Sequence, residues 1–482
     1  MGWLDFRDFV DGCEKKGDVL RVEGADPYLE LGTLVELMCE QQGPMLLFDD
    51  IKGFPRGYRI AAKPYSTTDR TAFALNLPVG RSKAETNGAW RERMKDYEPV
   101  TPIVVRDGPI LENVQEGDGI DLHEFPIPKW HELDGGQYLG TGCSIVTRDP
   151  EEDWCNVGTY RVMLHDRNTC GISITPYHHG NVQMRKWWLR GKSCPIAIVI
   201  SPDPYLFIAS THGVPWGESE LAWAGYFRGA PEEIIIGQHT QLPLPARAEI
   251  VIEGEVPPLT DESKLEGPFG EYTGYYAAGE KMRPVIHVKA VYYRSDPMMH
   301  GDPPVLPSAE GSSPVGNAIW EMFEKAGVPG VKDIQSLSVG GAFITAISMR
   351  QSYAGHAAQV AQTACGLIHN MCRFIIVVDD DVDVTNTNQV LWAMATRCDP
   401  AHAIQIMTGC PSTTLDPAIS PDRKAKGDLT AGRALILATR PWEWFDQFPQ
   451  VNRATDELRA DVREKWAHLF DKSRRGELVG AR

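Results

Sequence analysis

Two glutamates lie five positions apart in the stretch LEGPFGEYTGYY, residues 265–276. The glycines and the proline of this stretch let the backbone turn sharply and approach a ligand closely. Two neighbouring carboxyl groups titrate at different pH values, so one can act as an acid while the other stays ionised. The pattern predicts an acid–base site at Glu266 and Glu271. A surface turn with two solvated glutamates is an alternative of about equal weight for this motif alone.

An arginine follows a tyrosine in the β-rich run NVGTYRVMLHD, residues 156–166. Successive residues of a strand point to opposite faces of its sheet, so Tyr160 and Arg161 are expected to diverge. Arg161 is then either exposed to solvent, which is the commoner outcome, or directed into a cavity where its guanidinium would bind a carboxylate. The sequence leaves both outcomes open.

Other polar residues have the chemistry of metal ligands. We interpret PYHHG, residues 176–180, as part of a strand, so only one of His178 and His179 can reach a given metal. Glu220 lies in the first turn of a predicted helix, where a carboxylate also favours the helix dipole. If Asn156, His179 and Glu220 converge, they form an oxygen and nitrogen site suited to Mn²⁺ or Mg²⁺ holding a phosphate. Spacing alone does not establish that convergence.

Composition excludes several classes of protein. A chain of 482 residues is expected to form two or three domains. Lys+Arg 48 against Asp+Glu 65 gives 48 − 65 = −17, which disfavours binding to nucleic acid or to an anionic membrane. No run of eighteen apolar residues or signal-peptide core occurs, so we expect a cytoplasmic protein. The ten cysteines form no CxxC, which argues against a zinc ribbon or a disulfide framework.

Three regions with different sequence patterns follow one another along the chain. The first eighty residues predict helices at 4–16 and 28–41 and strands at 18–22 and 45–49. The last third also alternates helices and strands and predicts a second α/β domain with a mainly parallel sheet. Residues 138–293 predict a barrel or folded antiparallel sheet from the runs YLGTGCSIVTR, NVGTYRVMLHD, GISITPYHH, PIAIVIS, YLFIAS, AEIVIEGEV and PVIHVKAVYYR.

Four motifs occur in a fixed order: N-x-G-x-Y-R, HHG, S-E-x-x-x-A-G and E-G-P-F-G-E-Y-T-G-Y-Y. Together they resemble those of the UbiD family of prenylated-FMN-dependent decarboxylases, which includes ferulic acid decarboxylase and bacterial aromatic acid decarboxylases. The resemblance extends to DVDVTNTNQVLWAMATRCDP near the C-terminus. It implies an α/β and β fold in four parts: an N-terminal α/β domain at 1–114, a split β-barrel (flavin-reductase-like) domain at 115–305 that binds prenylated FMN, a linker helix at 306–328 and a C-terminal α/β dimerisation domain at 329–482.

The resemblance also implies roles for individual residues. Asn156, His179 and Glu220 match the family's ligands for Mn²⁺ or Mg²⁺, which with a nearby K⁺ ties the cofactor phosphate to the protein. Arg161, Glu266 and Glu271 match its catalytic network. In that network Arg161 orients the substrate carboxylate, Glu266 holds Arg161, Glu271 delivers the proton that replaces CO₂, and prenylated FMN serves as the electron sink. The cofactor-binding residues implied are Asn156, Thr159, Tyr160, Arg161, His178, His179 and Glu220.

The expected reaction is reversible non-oxidative decarboxylation of an aromatic, heteroaromatic or α,β-unsaturated carboxylic acid. An Mn-dependent hydrolase that uses the paired glutamates and a non-catalytic flavin-binding protein are the alternatives. Expected partners are the acid and CO₂, a flavin prenyltransferase that supplies the cofactor, and further copies of this chain in a homodimer or higher homo-oligomer. Tyr272 and the loop 302–314 are expected to border the substrate, and Arg433 is interpreted as a solvated arginine or a second substrate contact.

Overall fold

The computed structural model describes residues 2–140, 142–307, 318–368 and 371–467. Residues 1–439 form one compact unit, and residues 440–482 form a second. In the second unit, a 3₁₀ segment at Trp442–Gln447 precedes a helix at Asp456–Lys465.

The N-terminal region alternates helices and strands, as its sequence predicts. Its elements are α1 (Phe6–Lys15), β1 (Val19–Glu23), α2 (Glu30–Glu40), β2 (Met45–Asp49), β3 (Arg59–Ala62), α3 (Thr68–Ala74) and α4 (Lys83–Met94). Helix α1 begins after Asp5, whose side chain accepts from the Asp8 amide, and it buries Phe6, Phe9, Val10 and Cys13. That spacing is the apolar stripe of an amphipathic helix, and it packs α1 against the protein core.

The central region is dominated by strands. Its elements are β4 (Ile103–Val104), β5 (Asn113–Glu116), β6 (Tyr138–Gly140), β7 (Cys143–Arg148), β8 (Cys155–Gly158), β9 (Arg161–Asp166), β10 (Thr169–Ser173), α5 (His179–Leu189), β11 (Cys194–Ile200), α6 (Pro204–His212), α7 (Glu220–Arg228), β12 (Glu233–Ile236), β13 (Pro243–Pro245), β14 (Ile250–Val256), β15 (Lys264–Glu266), β16 (Lys281–Arg283), β17 (Val285–Tyr293) and β18 (Met298–Gly301).

Nine of these strands form one antiparallel sheet in the order β6-β9-β10-β17-β14-β11-β7-β8, with β5 added on β17. Strand β11 separates two hydrophobic cores, because Ile196, Ile198 and Ile200 pack into one while Ala197 and Val199 pack into the other. A strand buried on both faces reads as a continuous apolar run, which explains the sequence CPIAIVI. Strand β18 follows β17 in the chain but pairs with β3 in the N-terminal sheet, whose order is β1-β2-β3-β18.

The C-terminal part of the first unit is a second α/β layer. It contains α8 (Ala318–Ala326), β19 (Val331–Ser336), β20 (Ile344–Met349), α9 (His356–Leu367), β21 (Phe374–Asp379), α10 (Thr387–Arg397), α11 (Pro400–Ala403), β22 (Ile404–Pro411), α12 (Pro421–Ala425) and β23 (Thr430–Ala438). The strand order is β19-β20-β21-β23-β22. The inner three strands are parallel, but β19 and β22 pair antiparallel at the edges, so the prediction of a mainly parallel sheet is wrong there.

Three local predictions are also wrong. YLFIAS is not a strand but lies in α6, which begins with Asp203 as a side-chain N-cap followed by Pro204 at the first helical position. The strand predicted over 171–179 ends at Ser173. The run 156–166 is two strands, interrupted at residues 159–160 between β8 and β9.

The fold class is confirmed, since α/β regions lie before and after the β-rich central sheet. The four domain boundaries stay predictions. All ten cysteines are free, in agreement with the absence of a disulfide framework. Among the residues described, no helix combines the length and apolar character needed to cross a membrane.

Candidate active site

Arg161 and the two glutamates of the opening motif meet at one place, which we call the arginine–glutamate cluster. Arg161 is the first residue of β9, and its guanidinium binds Glu266 through two parallel bonds, Nε to Oε1 at 2.7 Å and Nη2 to Oε2 at 2.8 Å. The remaining nitrogen, Nη1, contacts Oε1 of Glu271. A bidentate arginine–carboxylate pair fixes direction as well as distance. The chain therefore holds three distant residues in a defined arrangement.

The turn after β15 places the two glutamates. Glu266 is the last residue of β15, which pairs with β16 in a short hairpin. Gly267 has φ +92°, which a residue with a side chain rarely adopts, and the Gly267–Pro268 peptide is cis. The Glu271 amide donates to the Tyr275 carbonyl at 3.1 Å, and Gly274 donates to the Glu271 carbonyl at 2.8 Å. The sharp turn thus folds back on itself and returns Glu271 to the side of Glu266.

Burial and charge give the two carboxyl groups different properties. Glu266 is 1% exposed and Glu271 is 7% exposed. Burial raises the pKa of Glu271, the negative charges of Glu266 and Asp134 raise it further, and Arg161 opposes them. Burial alone would lower the pKa of Arg161, but its hydrogen bond to Glu266 and the charges of both glutamates raise it. Glu271 is therefore the carboxyl group suited to hold a proton beside a permanently charged guanidinium.

Three further side chains complete the surroundings of this cluster. The Tyr138 hydroxyl donates to Glu266 Oε1 at 3.1 Å, so Glu266 is held from β6 as well as from β9. The Phe269 ring lies under the guanidinium, with its centroid 5.3 Å from Arg161 Cζ. Arg283 on β16 places its Nε 3.8 Å from Glu266 Oε2. Sequence reasoning missed Tyr138 and Arg283; in the hairpin Arg283 lies opposite Lys264, two residues before Glu266, and neither residue belongs to a motif that would have indicated it.

Asn156, His179 and Glu220 form a second set, which we call the predicted metal group. They lie at the second residue of β8 and at the first residues of α5 and α7. Glu220 Oε2 accepts the Val157 amide at 2.9 Å, and Val157 is the residue that follows Asn156 in the chain. The His179 ring packs at 5.5 Å from Trp154 and 5.1 Å from Trp216, centroid to centroid. The three residues thus lie on segments that contact one another.

The chemistry of this group fits a cation. Burial raises the pKa of Glu220 to about 8, and the charged group that acts on it is Glu218, another carboxylate. The Asn156 amide nitrogen is buried without a hydrogen-bond partner in the described structure, and the amide oxygen of the same side chain is the atom that could ligate a cation. Burial lowers the pKa of His179, which favours the neutral ring that ligates metals. Among the described residues, no group of three or more His, Cys, Asp and Glu side chains could hold a metal, so a site here needs Asn156.

The other residues predicted to bind a cofactor lie on the same segments. The Tyr160 hydroxyl accepts the Gly180 amide at 3.3 Å, and its ring lies 5.8 Å from that of His178. Thr159 Oγ1 lies 2.8 Å from Ser210 Oγ on α6. His178 is the N-cap of α5 and His179 its first residue, so the interpretation of PYHHG as part of a strand is wrong. Both histidines therefore lie at a helix N-terminus, where amide groups and the helix dipole favour anions.

The remaining expectations have mixed outcomes. Tyr272 follows Glu271 and is 46% exposed, and its expected contact with the substrate stays a prediction. Of the loop 302–314, only residues up to 307 are described, and the rest of that prediction lies outside the described residues. Arg433 is 1% exposed, and it donates to the carbonyls of Cys365 and Ile368, each at 2.7 Å. The interpretation of Arg433 as a solvated arginine is therefore wrong, and its bonds to backbone carbonyls give it a structural role.

Comparison with known proteins gives consistent matches along the chain. Three models of 3-octaprenyl-4-hydroxybenzoate carboxy-lyase match it: the N-terminal domain at residues 10–86, the Rift-related domain at 103–306 and the C-terminal domain at 311–438. Pyrrole-2-carboxylic acid decarboxylase of Pseudomonas aeruginosa is 31% identical over 96% of this chain and 98% of its own. Phenolic acid decarboxylase of a Streptomyces species is 33% identical over 87% of this chain and 90% of its own.

Solved structures give the same result. Vanillic acid decarboxylase of Sedimentibacter hydroxybenzoicus, in its open form, matches with a TM-score of 0.83 at 27% identity, covering 98% of this chain and 99% of that one. The UbiD-class enzyme HmfF of Pelotomaculum thermopropionicum, in complex with FMN, has a TM-score of 0.82 at 25% identity over 94% of this chain and 98% of its own. An evolved dimeric form of HmfF, in complex with prFMN, has a TM-score of 0.79 at 25% identity over the same shares.

Proposed function

The chain belongs to the UbiD family of carboxy-lyases, and on that premise we propose that it catalyses the reversible non-oxidative decarboxylation of an aromatic, heteroaromatic or α,β-unsaturated carboxylic acid. The observation that carries the proposal is the contact of one guanidinium with Glu266 and Glu271 in a buried cluster. The relatives named for pyrrole-2-carboxylic and phenolic acids support an aromatic or heteroaromatic substrate. Membership of a carboxy-lyase family disfavours both a hydrolase and a non-catalytic flavin protein.

Arg161 binds and orients the carboxylate that is to be lost. Its guanidinium stays charged, and Glu266 fixes its plane through two hydrogen bonds. Because Glu266 is itself held by Tyr138, the arginine has little freedom to turn. Its contact with Glu271 is a single-nitrogen contact, which a substrate carboxylate can replace without disturbing the pair with Glu266. The binding energy of the carboxylate then serves to position the bond that breaks.

Glu271 supplies the proton that takes the place of CO₂. A proton donor must keep its proton near neutral pH, and the raised pKa of Glu271 meets that requirement. Burial is its largest cause, so solvent exclusion at the reaction centre also preserves the protonated state. In the carboxylation direction the same oxygen would accept the proton, since both directions pass through the same transition state.

Prenylated FMN, when bound, supplies the electron sink that amino-acid side chains lack. The residues proposed to hold it are Thr159, Tyr160, Arg161 and His178, together with Asn156, His179 and Glu220 around Mn²⁺ or Mg²⁺ and a nearby K⁺. The complexes of HmfF with FMN and with prFMN support a flavin in this fold. A flavin prenyltransferase is the partner proposed to supply the mature cofactor.

We also propose that the protein acts as a homodimer or higher homo-oligomer. Strand β22 is an edge of the C-terminal sheet, and it exposes Ile406 and Met407 to 66% and 40%. Leu391 and Trp392 on α10 are exposed as well, to 46% and 42%. An apolar edge strand is a surface that natural proteins usually cover, and a second copy of the chain would cover it.

Glu271→Gln is the direct test of the proposed function. We expect protein produced together with a flavin prenyltransferase to release CO₂ from members of a panel of aromatic and unsaturated acids. The glutamine retains size and hydrogen bonding but cannot donate an acidic proton, so the variant should keep its flavin and lose at least a hundredfold in kcat. Glu280→Gln, at an exposed position of the same segment, is the matched control and should match wild type.

Two results would overturn the proposal. CO₂ release that is unchanged in a flavin-free preparation would instead support the hydrolase-like use of the paired glutamates. Absence of both a bound flavin and CO₂ release, with the protein produced beside the prenyltransferase, would remove the decarboxylase itself.

A further inference from the structure

A buried aspartate in the loop 131–136 contacts the turn that carries Glu271. Asp134 is 2% exposed, and its Oδ1 accepts the Gly270 amide at 3.0 Å. Its other oxygen, Oδ2, accepts the His131 amide at 3.0 Å and lies 3.3 Å from His131 Nδ1. Gly270 immediately precedes Glu271, so Asp134 holds the peptide group that leads into the proposed proton donor.

The backbones of the loop and the turn are also in close contact. The Gly135 amide donates to the Pro268 carbonyl at 2.8 Å. A Cβ on Gly135 would lie 1.8 Å from the Gly267 carbonyl oxygen, a distance that no side chain can adopt. The sequence D-G-G therefore supplies a carboxylate at its first position and, at its second, the room for the turn to dock.

The charges around Glu271 explain why a second carboxylate matters there. Arg161 is already paired through two nitrogens with Glu266, so its charge is largely balanced before Glu271 is counted. Asp134 adds a further negative charge and raises the pKa of Glu271, in the same direction as burial and Glu266. The titratable or charged groups that face Glu271 from the surrounding elements are Arg161, Glu266, Arg283, Asp134 and Tyr272, together with Tyr138 through Glu266 and His131 through Asp134.

We propose that Asp134 is a positioning residue of the reaction centre, which fixes the peptide before Glu271 and keeps the proton on its carboxyl group. This inference rests on the proposed function of Glu271 as the proton donor. The two effects have one origin, because the carboxylate whose charge acts on Glu271 is also the one that accepts the Gly270 amide. Asp134 itself need not touch the substrate.

Two variants separate the charge from the hydrogen bond. Asp134→Asn keeps an oxygen that can accept the Gly270 amide but removes the charge, whereas Asp134→Ala removes both. Glu132→Gln removes the same charge from an exposed position of the same loop and is the matched control. Flavin content, KM and the thermal midpoint of Asp134→Asn should stay close to wild type.

The pH dependence of kcat is the diagnostic measurement. Activity needs protonated Glu271, so kcat falls as pH rises through the pKa of Glu271. Without the charge of Asp134 that pKa is lower, and the alkaline limb of kcat in Asp134→Asn should move to lower pH by roughly one unit. At a pH on the wild-type limb, this shift corresponds to about a tenfold loss of kcat. Asp134→Ala should show the same shift with a further loss of kcat, and Glu132→Gln should show none.

A titration that does not depend on turnover keeps this inference separate from the proposed function. Infrared difference spectra of wild type against Glu271→Gln isolate the carboxyl band of Glu271, and its midpoint should be lower in Asp134→Asn. A lower midpoint in a protein that releases no CO₂ would support the role of Asp134 while removing the decarboxylase. An unchanged midpoint and pH profile, with both Asp134 variants merely less stable, would overturn the inference and leave the proposed function intact.

Discussion

The arginine–glutamate cluster and the predicted metal group differ in what balances their buried charge. In the first, Glu266 and Glu271 share a guanidinium that belongs to the chain. In the second, Glu220 is 3% exposed, and among the described residues the charge that acts on it is that of Glu218, another carboxylate. A buried charge without a partner is costly, so natural proteins pair it or use it to bind a cation. The chain itself supplies the cation of the first site, whereas at the second we propose that a bound cation supplies it.

Removing Arg161 should have the largest effect, because the buried glutamates of the arginine–glutamate cluster then lose their guanidinium partner. The cluster would in this respect resemble the predicted metal group. Arg161→Met leaves two buried carboxyl groups with Arg283, 3.8 Å from Glu266, as the nearby cation, which should cost about 3–5 kcal/mol in the free energy of unfolding. It also removes the group that orients the substrate, so kcat/KM should fall by about a thousandfold. Urea unfolding and CO₂ release measure the two effects. Arg185→Met, at an exposed position of α5, is the control.

A second substitution sharpens this prediction. The double variant Arg161→Met with Glu266→Gln also removes the negative charge of Glu266, so stability should recover in part while activity stays lost. A single Arg161→Met variant as stable as wild type would contradict the view that the guanidinium balances the buried glutamates.

A bound metal ion should supply the predicted metal group with a positive charge, as Arg161 does for the arginine–glutamate cluster. Mn²⁺ should stabilise the folded protein by about 2.7 kcal/mol at a hundredfold excess over its dissociation constant. Glu220→Gln should abolish this gain, whereas Glu218→Gln, at the exposed neighbouring position, should retain it. Thermal unfolding with added Mn²⁺ or with a chelator measures the difference. Equal stabilisation of wild type and Glu220→Gln would place the ion elsewhere.

The smallest expected effect concerns the support behind the arginine–glutamate cluster. Tyr138→Phe removes the hydrogen bond to Glu266 but keeps the buried ring, which packs 4.4 Å from that of Phe269. One neutral donor is worth about 0.5–1.5 kcal/mol, so kcat should fall only severalfold. Steady-state kinetics beside Tyr28→Phe, an exposed tyrosine, would detect the change. A loss as large as that of Arg161→Met would show that Tyr138 acts directly in the reaction.

The arginine–glutamate cluster was predicted through the family resemblance, because the motifs of Arg161, Glu266 and Glu271 taken alone left a solvent-exposed alternative open. Asp134 and Tyr138 were not predicted from the sequence. Their contribution is a hydrogen bond to a residue more than a hundred positions away. Nothing in the local sequence shows that partner, although the D-G-G triplet does indicate a close backbone approach.

Helices were predictable where one face is buried and not where almost the whole helix surface is buried. Helix α1 shows its amphipathic stripe, so its position follows from the spacing of Phe6, Phe9, Val10 and Cys13. Helix α6 is buried almost all round, which removes the periodicity and makes YLFIAS resemble a strand. The pairing of β18 with β3 in the N-terminal sheet could not be predicted either, since pairing between strands far apart in sequence depends on the assembled structure.

The central claim is that Glu271 transfers the proton at a centre organised by Arg161, and exchange in D₂O tests it most directly. Wild-type holoenzyme should place one deuterium on the substrate carbon that loses CO₂. Glu271→Gln with retained flavin should do so at least a hundred times more slowly. Incorporation at the same rate in both proteins would show that another group carries the proton, and the account of this site would then be wrong.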